Sequence, residues 1–315
     1  MVTVSNPADF KVEQLHVAFH VQAGIVQVIE DLSICFKYGK TTGIIGESGC
    51  GKSVVGLALF GLLPQYAKVK GHIYYEGLDV LSAPFSKVQS YLGREWGVIP
   101  QSPTEALNPV RNIKKQFDDI GQNAGHGTFS KQEVCDILGL FGLQDGARIL
   151  KAYPHELSGG MLQRVLCAMA VCCNPAWVLA DEPTKGLDRE SFAAVYQNLQ
   201  KLKTLKTKSM MIITHDLDLV KVLCDEVVVM YAGEIVEIND TLLRNPLHPY
   251  TQAFLKALPE NGFQPMHGRS PELNEHIIGC KFAARCAAAS KRCQEEHPEL
   301  YEIDAVNKVR CFLYA

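Results

Sequence analysis

The stretch "GESGCGKS", Gly46 to Ser53, constrains this 315-residue chain more than any other. It follows a short apolar run, "TTGII", and precedes "KSVVGLALFGLL", whose apolar spacing predicts a helix. A glycine-rich turn between a strand and a helix is the setting in which G-x4-G-K-S acts as a phosphate-binding loop, or P-loop. Glycines let the backbone aim its N–H groups at an anion, and the helix N-terminus adds free donors and a positive dipole end. The loop Gly46, Glu47, Ser48, Gly49, Cys50, Gly51 and the following Val54 would line the phosphates. Lys52 would reach the β- and γ-phosphates, and the Ser53 hydroxyl would ligate Mg²⁺.

The rest of the chain fits around that loop. The first forty residues alternate as strands, "VEQLHVAF" and "IVQVIEDLSICF", and another strand pair surrounds "HIYYEG". Residues 104–157 are mostly helical patterns, and a long amphipathic helix follows from Ser158 to Cys173. Strand "WVLAD", a helix from Glu190, strand "SMMIIT", a helix from Asp216 and the hairpin-like "EVVVMYAGEIVEI" come next. Strands alternating with helices predict an α/β core with a mainly parallel sheet, into which the helical stretch is inserted. With 31 Lys and Arg against 34 Asp and Glu, nothing points to a nucleic-acid-binding surface. No run is apolar enough to span a membrane and the N-terminus has no secretory pattern, so a soluble cytoplasmic chain is expected.

Two acids close the strand "WVLAD". Asp181 at its end can hold Mg²⁺ through a bound water, and Glu182, one residue on, is placed to polarise an attacking water. "LSGGMLQR", Leu157 to Arg164, opens the long helix with Ser158, Gly159 and Gly160, so free N–H groups face outward. "GVIPQSP" carries Gln101, "IITHD" carries His215, and "PTKGLD" carries Asp188.

In this order the motifs resemble the nucleotide-binding subunits of ATP-binding-cassette (ABC) transporters, over nearly the whole chain. The resemblance implies an α/β fold: a P-loop (RecA-like) ATPase core with an antiparallel β subdomain and an inserted α-helical subdomain at about 104–165. It implies an ABC domain over 8–259 and a small cysteine-rich C-terminal extension over 260–315. In the family two subunits meet head to tail. Ser158, Gly159, Gly160 and Gln163 would then bind the partner's ATP, with Asp188 on the loop between subunits. Gln101 would contact Mg²⁺ and the attacking water, His215 would hold the γ-phosphate, and Phe19 would stack on adenine. One departure is "KGLD", where Ser-Ala-Leu-Asp or Thr-Ala-Leu-Asp is usual; Lys185 and Gly186 alter contacts expected across the dimer.

Within the family, "GIIGESGCGKS", "QSPTEALNP" and "HPYTQAFLKALP" look like the oligopeptide, dipeptide and nickel importers. That implies two membrane permease subunits, a second and related ATPase chain, an extracytoplasmic binding protein, and a place on the cytoplasmic face of the inner membrane. Peptide uptake is the first reading and nickel or a metal chelate the alternative. A soluble ABC ATPase of repair or translation is the rival class, disfavoured by the single cassette. The tail "GCKFAARC" resembles the extension that holds a [4Fe–4S] cluster in several relatives, with Cys280, Cys286, Cys293 and Cys311 as ligands. Four thiolates suit such a cluster, and zinc is the alternative. Each cysteine has a basic neighbour (Lys281, Arg285, Arg292, Arg310) expected to favour the thiolate. The segment has few large apolar residues, so a metal cross-link is expected to replace a core. Its distance in sequence from the phosphate motifs sets it apart from hydrolysis.

Overall fold

The computed structural model of the protein describes residues 8–21, 24–185, 189–205, 209–240, 244–258, 262–272, 275 and 277–315. The chain divides into two compact units. One is built from Ala8, Lys37–Thr41 and Ser82–Leu223, the other from Asp9–Phe36, Thr42–Leu81 and Cys224–Ala315.

The unit that carries the glycine-rich loop begins with strands β1 (Phe10–Val21) and β2 (Gly24–Phe36), paired antiparallel. A fully buried strand, β3 (Thr41–Gly46), leads through the loop into helix α1 (Lys52–Leu59). Strands β4 (Ala67–Tyr75) and β5 (Leu78–Asp79) then complete a four-stranded antiparallel sheet in the order β2-β1-β4-β5. The register of β1 against β4 slips between Glu13 and His16, where Gln14 has φ 48°. At this bulge a Cβ on Gly71 would lie 2.3 Å from the Gln14 carbonyl oxygen, so only glycine lets the two backbones approach.

The other unit follows. Short helix α2 (Phe85–Gln89) and strand β6 (Trp96–Ile99) precede a run of helices: α3 (Pro103–Ala106), α4 (Ile113–Asn123), α5 (Lys131–Leu140), α6 (Gly146–Lys151) and α7 (Gly159–Val171). Their starts are written in the sequence. Asn112 caps α4 by accepting from the Lys115 N–H, Ser130 and Glu133 form a reciprocal capping box on α5, and Asp145 caps α6. Ile113, Phe117, Val134, Leu138 and Ile149 are buried among the helices. Buried Gln116 ties the loop before α4 in place, accepting from the Asn108 N–H (2.9 Å) and donating to the carbonyls of Asn108 (3.1 Å) and Arg111 (2.9 Å). Strand β7 (Trp177–Asp181), helix α8 (Arg189–Leu205), strand β8 (Ser209–Ile213) and helix α9 (Leu217–Leu223) complete this unit. Strands β6, β7 and β8 run parallel, and β7 and β8 are buried throughout, as the apolar runs "WVLA" and "MMII" require.

The chain then returns to the first unit with β9 (Glu226–Tyr231), parallel to β3, and β10 (Glu234–Asn239), antiparallel to β9. Thr42 and Glu226 bond side chain to side chain at 2.8 Å inside this pairing. Helix α10 (Pro249–Lys256) leads to the cysteine-rich segment with helix α11 (Lys291–Glu295) and strands β11 (Tyr301–Glu302) and β12 (Lys308–Val309). Here the expected lack of a core is corrected. Phe282 is 2 % exposed and packs edge-on against Tyr231 and Tyr250, at ring distances of 5.3 and 5.5 Å. Leu247, Val309 and Cys311 form a further buried cluster, and β12 pairs antiparallel with β10. One well-placed aromatic and a short strand secure the segment, which a count of apolar residues does not reveal.

Candidate functional site

The site begins at the end of β3. Gly46 has φ 151°, and a Cβ there would lie 2.1 Å from the Met230 carbonyl oxygen on β9, so the chain leaves the sheet in contact with its neighbour's backbone. Gly51 (φ 100°) meets β2 in the same way, its Cβ position 2.6 Å from Ile29 Cδ1. The loop between them presents Ser48 and Gly49 to solvent, while Cys50, Gly51 and Lys52 are buried and Ser53 and Val54 half-buried. The Lys52 ammonium donates to the Gly46 (3.0 Å) and Glu47 (2.9 Å) carbonyls, folded across the loop that it would open towards phosphate. The glycines, lysine and helix start form the cradle that a nucleoside triphosphate needs.

Glu47 connects this loop to the C-terminal extension. Its carboxylate accepts two hydrogen bonds from the Arg285 guanidinium, at 2.9 and 3.0 Å, and one from the Ser270 hydroxyl. Its backbone N–H donates to the Tyr250 hydroxyl at 2.9 Å. Burial raises the carboxyl's pKa, but the hydrogen bonds from Arg285 and Ser270 and the charges of Arg285 and Lys52 outweigh it and hold the group below its ordinary value. The extension therefore reaches the glycine-rich loop directly, through side chains far from it in sequence. Phe19 is half-buried near the end of β1, its ring 5.9 Å from that of exposed Tyr66. Tyr66, an isolated aromatic in a turn, gave no sequence signal.

In the other unit, parallel register brings three predicted residues to one end of the sheet. Ile99 pairs with Ala180 and Asp181 with Ile213, so Gln101, Glu182 and His215 all emerge just beyond the same ends of β6, β7 and β8. Glu182 sits at φ 46°, a strained region for glutamate, held by its N–H donating to the Ile213 carbonyl (2.8 Å). Glu182 Oε2 lies 2.8 Å from His215 Nδ1. Asp181 ends β7, and Gln101 is exposed after β6. Ser158 caps α7 through the Met161 N–H (3.4 Å), and Ser158 and Gly159 are exposed, with Gly160 half-buried. Gln163 differs from its expected outward role. It is buried, and its amide donates to the Pro183 carbonyl at 3.0 Å, bracing the turn after Glu182. Asp188 lies outside the described residues.

Comparison with known proteins adds the rest. Residues 29–185 match the ABC transporter family. Residues 236–293 match the C-terminal region of oligopeptide/dipeptide transporters. The chain is 36% identical to the dipeptide transport ATP-binding protein DppD of Bacillus subtilis, over 96% of this chain and 93% of that one. This chain belongs to the ATP-binding subunits of oligopeptide/dipeptide ABC transporters. A probable peptide ABC transporter ATP-binding protein of Sinorhizobium fredii is likewise 36% identical, covering 98% of this chain and 96% of the other. A solved dimeric ATP-binding cassette with ADP and Pi bound shares the fold at TM-score 0.66 and 23% identity, covering 75% of this chain and 99% of that one.

The transporter ATPase has a second notable region. Cys280, Cys286, Cys293 and Cys311 line one cavity of about 80 Å³, together with Phe282 and His248. Among the described residues, no three His, Cys, Asp or Glu side chains form a group that could hold a single metal ion. The expectation about basic neighbours is also corrected. Lys281 pairs with Glu30 and Glu234, Arg285 with Glu47, and Arg292 with Glu296, while Arg310 donates to the carbonyls of Ile235 and Pro298. Burial, aided by the other cysteines, instead pushes the Cys280 thiol up to about 11 and raises Cys286 and Cys311. Adjacency in sequence put the cations beside the cysteines, but their side chains turn to carboxylates and carbonyls.

The loop geometry yields a direct test. Gly46→Ala cannot be accommodated without moving β9 backbone, so the variant is expected to lose ATP binding by equilibrium titration. Its Tm should fall by several degrees, about the effect of 1–2 kcal/mol in a chain of this size.

Proposed function

We propose that the chain powers peptide uptake by closing head to tail on a second, related ATPase subunit, each covering the other's ATP. Its nucleotide-binding domain spans 8–259, the helical subdomain lying at about 104–165, and the extension spans 260–315. Gly46–Val54 hold the phosphates, Ser53, Asp181 and Gln101 the Mg²⁺, and Phe19 the adenine. Glu182 polarises the attacking water and His215 holds the γ-phosphate. Ser158, Gly159 and Gly160 reach the partner's nucleotide. The observation that carries this reading is the gathering of Gln101, Glu182 and His215 at one end of three parallel strands, with His215 bonded to the acid it would position. The exposed start of α7 supports the pairing, and the matched cassette was solved as a dimer. Two permease subunits and a substrate-binding protein complete the machine, and the chain sits peripherally on the cytoplasmic face of the membrane. No helix among the described residues is long and apolar enough to cross it. Both relatives compared above carry "peptide" in their names, which supports peptide over nickel as cargo.

We further propose that Cys280, Cys286, Cys293 and Cys311 hold a [4Fe–4S] cluster, supported by their facing one cavity. When bound, the cluster would supply a cross-link through four thiolates. The chain's own residues close the site: the Cys280 N–H donates to the Cys293 carbonyl at 2.8 Å, and Phe282 covers one side.

Three outcomes are expected. Glu182→Gln lowers turnover by ~10²–10⁴, about 3–5 kcal/mol of barrier, while ATP still binds, as single-turnover assays will register. Near-normal hydrolysis would remove Glu182 from its role. Ser158→Arg stops hydrolysis at the partner's nucleotide but leaves this chain's own ATP affinity intact; loss of both would refute the head-to-tail closure. Anaerobically purified protein is brown with about four irons per chain, and Cys286→Ser loses the colour. Colourless, iron-free anaerobic protein would overturn the cluster.

A further inference from the structure

A carboxylate inside a loop built to bind phosphate poses an electrostatic problem. Glu47 follows Gly46 directly, and an unpaired negative charge there would repel the anion that the loop must hold. The chain places a cation on it from 238 residues away. The Arg285 side chain is 6 % exposed, and its fork matches the carboxylate at two points, 2.9 and 3.0 Å. The guanidinium is held from behind as well. It donates to the Tyr231 hydroxyl (3.2 Å), the Ser270 hydroxyl (3.1 Å) and the His267 carbonyl (3.1 Å), and it lies over the Tyr231 ring at 5.7 Å. Its backbone belongs to the turn Ala283–Arg285, fixed by buried Phe282 on one side and by Cys286 on the other.

We propose that the C-terminal extension is a clamp on the nucleotide loop, with Arg285 the positioning residue that neutralises Glu47 and sets the loop's affinity for ATP. The clamp rests on the reading of Gly46–Ser53 as the ATP loop. Arg285 touches no reacting atom; it acts through Glu47. Because Arg285 is bonded in sequence to Cys286, whose thiol lines the cysteine cavity, the geometry of that cavity and the charge balance of the loop are set by consecutive residues.

The test is a titration of the purified full-length subunit with Mg-ATP, read by calorimetry, alongside steady-state ATPase assays of the assembled transporter that contains it. Arg285→Ala is expected to raise Kd and KM by about tenfold or more, the effect of leaving a unit charge unpaired beside phosphate. At saturating ATP, kcat should stay within about twofold, since binding in the ground and transition states is weakened alike. Adding Glu47→Gln to Arg285→Ala removes the repelling charge, and the double variant is expected to return to within about threefold of the parent Kd. A general loss of structure would not be rescued in this way. Should Arg285→Ala fail to fold, Arg285→Lys keeps the charge but loses the two-point match, and Kd should rise about threefold. An unchanged Kd in the single variant tested, or a double variant as weak as Arg285→Ala, overturns the clamp. Lys52→Ala serves as the control: if it binds ATP like the parent, the loop reading itself fails. If Lys52→Ala weakens binding while the Arg285 variant does not, only the clamp is lost.

Discussion

Close approach of backbone at Gly46 is the constraint on which the rest of the loop unit depends. The carbonyl of Met230 occupies the space a side chain would take, so β3 can run parallel to β9 to its last residue and still turn at once into the loop. A substituent there would push the strands apart where the loop's direction is decided. Gly51 repeats the device against Ile29, fixing the other end of the loop before α1 begins. The N–H groups between these two points are thus oriented by packing before any ligand arrives, which is how a site avoids spending binding energy on its own ordering.

In the other unit the corresponding device is strand register. Parallel pairing fixes which residues share a level across the sheet, and Gln101, Glu182 and His215 come to one end because each lies just past the end of its strand. The positive φ of Glu182 is then a local cost of turning an acid out of a buried strand. Gln163 supports that turn from α7 by bonding the Pro183 carbonyl, so the helix that opens with the Ser-Gly-Gly motif also steadies the acid's loop. The helix's exposed start and its buried second turn serve different purposes.

Much of this was readable in the amino-acid order. Buried strands announced themselves as short apolar runs, the start of α7 as Ser158 before two glycines, and the phosphate loop as a pattern with the right neighbours on either side. What could not be read was any relation carried by side chains far apart in the chain. Arg285 stands beside Cys286 in sequence, and proximity assigned its charge to the thiol; the fold gives it to Glu47. Lys281 and Arg292 were misassigned for the same reason, since a long flexible side chain reaches several ångströms beyond its neighbours. Tyr66 and the inward turn of Gln163 belong to the same class. A residue's type says which chemistry it can perform, but only packing selects the partner.

Strand β12 has a consequence for how the protein is made. It pairs with β10 through Glu237–Val309 and Ile238–Lys308, and Lys308 and Val309 are synthesised long after β10 itself. Until they emerge from the ribosome, one margin of β10, a strand buried along its whole length, presents unsatisfied backbone groups, the kind of open margin on which chains aggregate. Synthesis of Lys308 and Val309 is therefore also the step that covers this margin of the nascent sheet, so truncation before them would leave the protein prone to self-association.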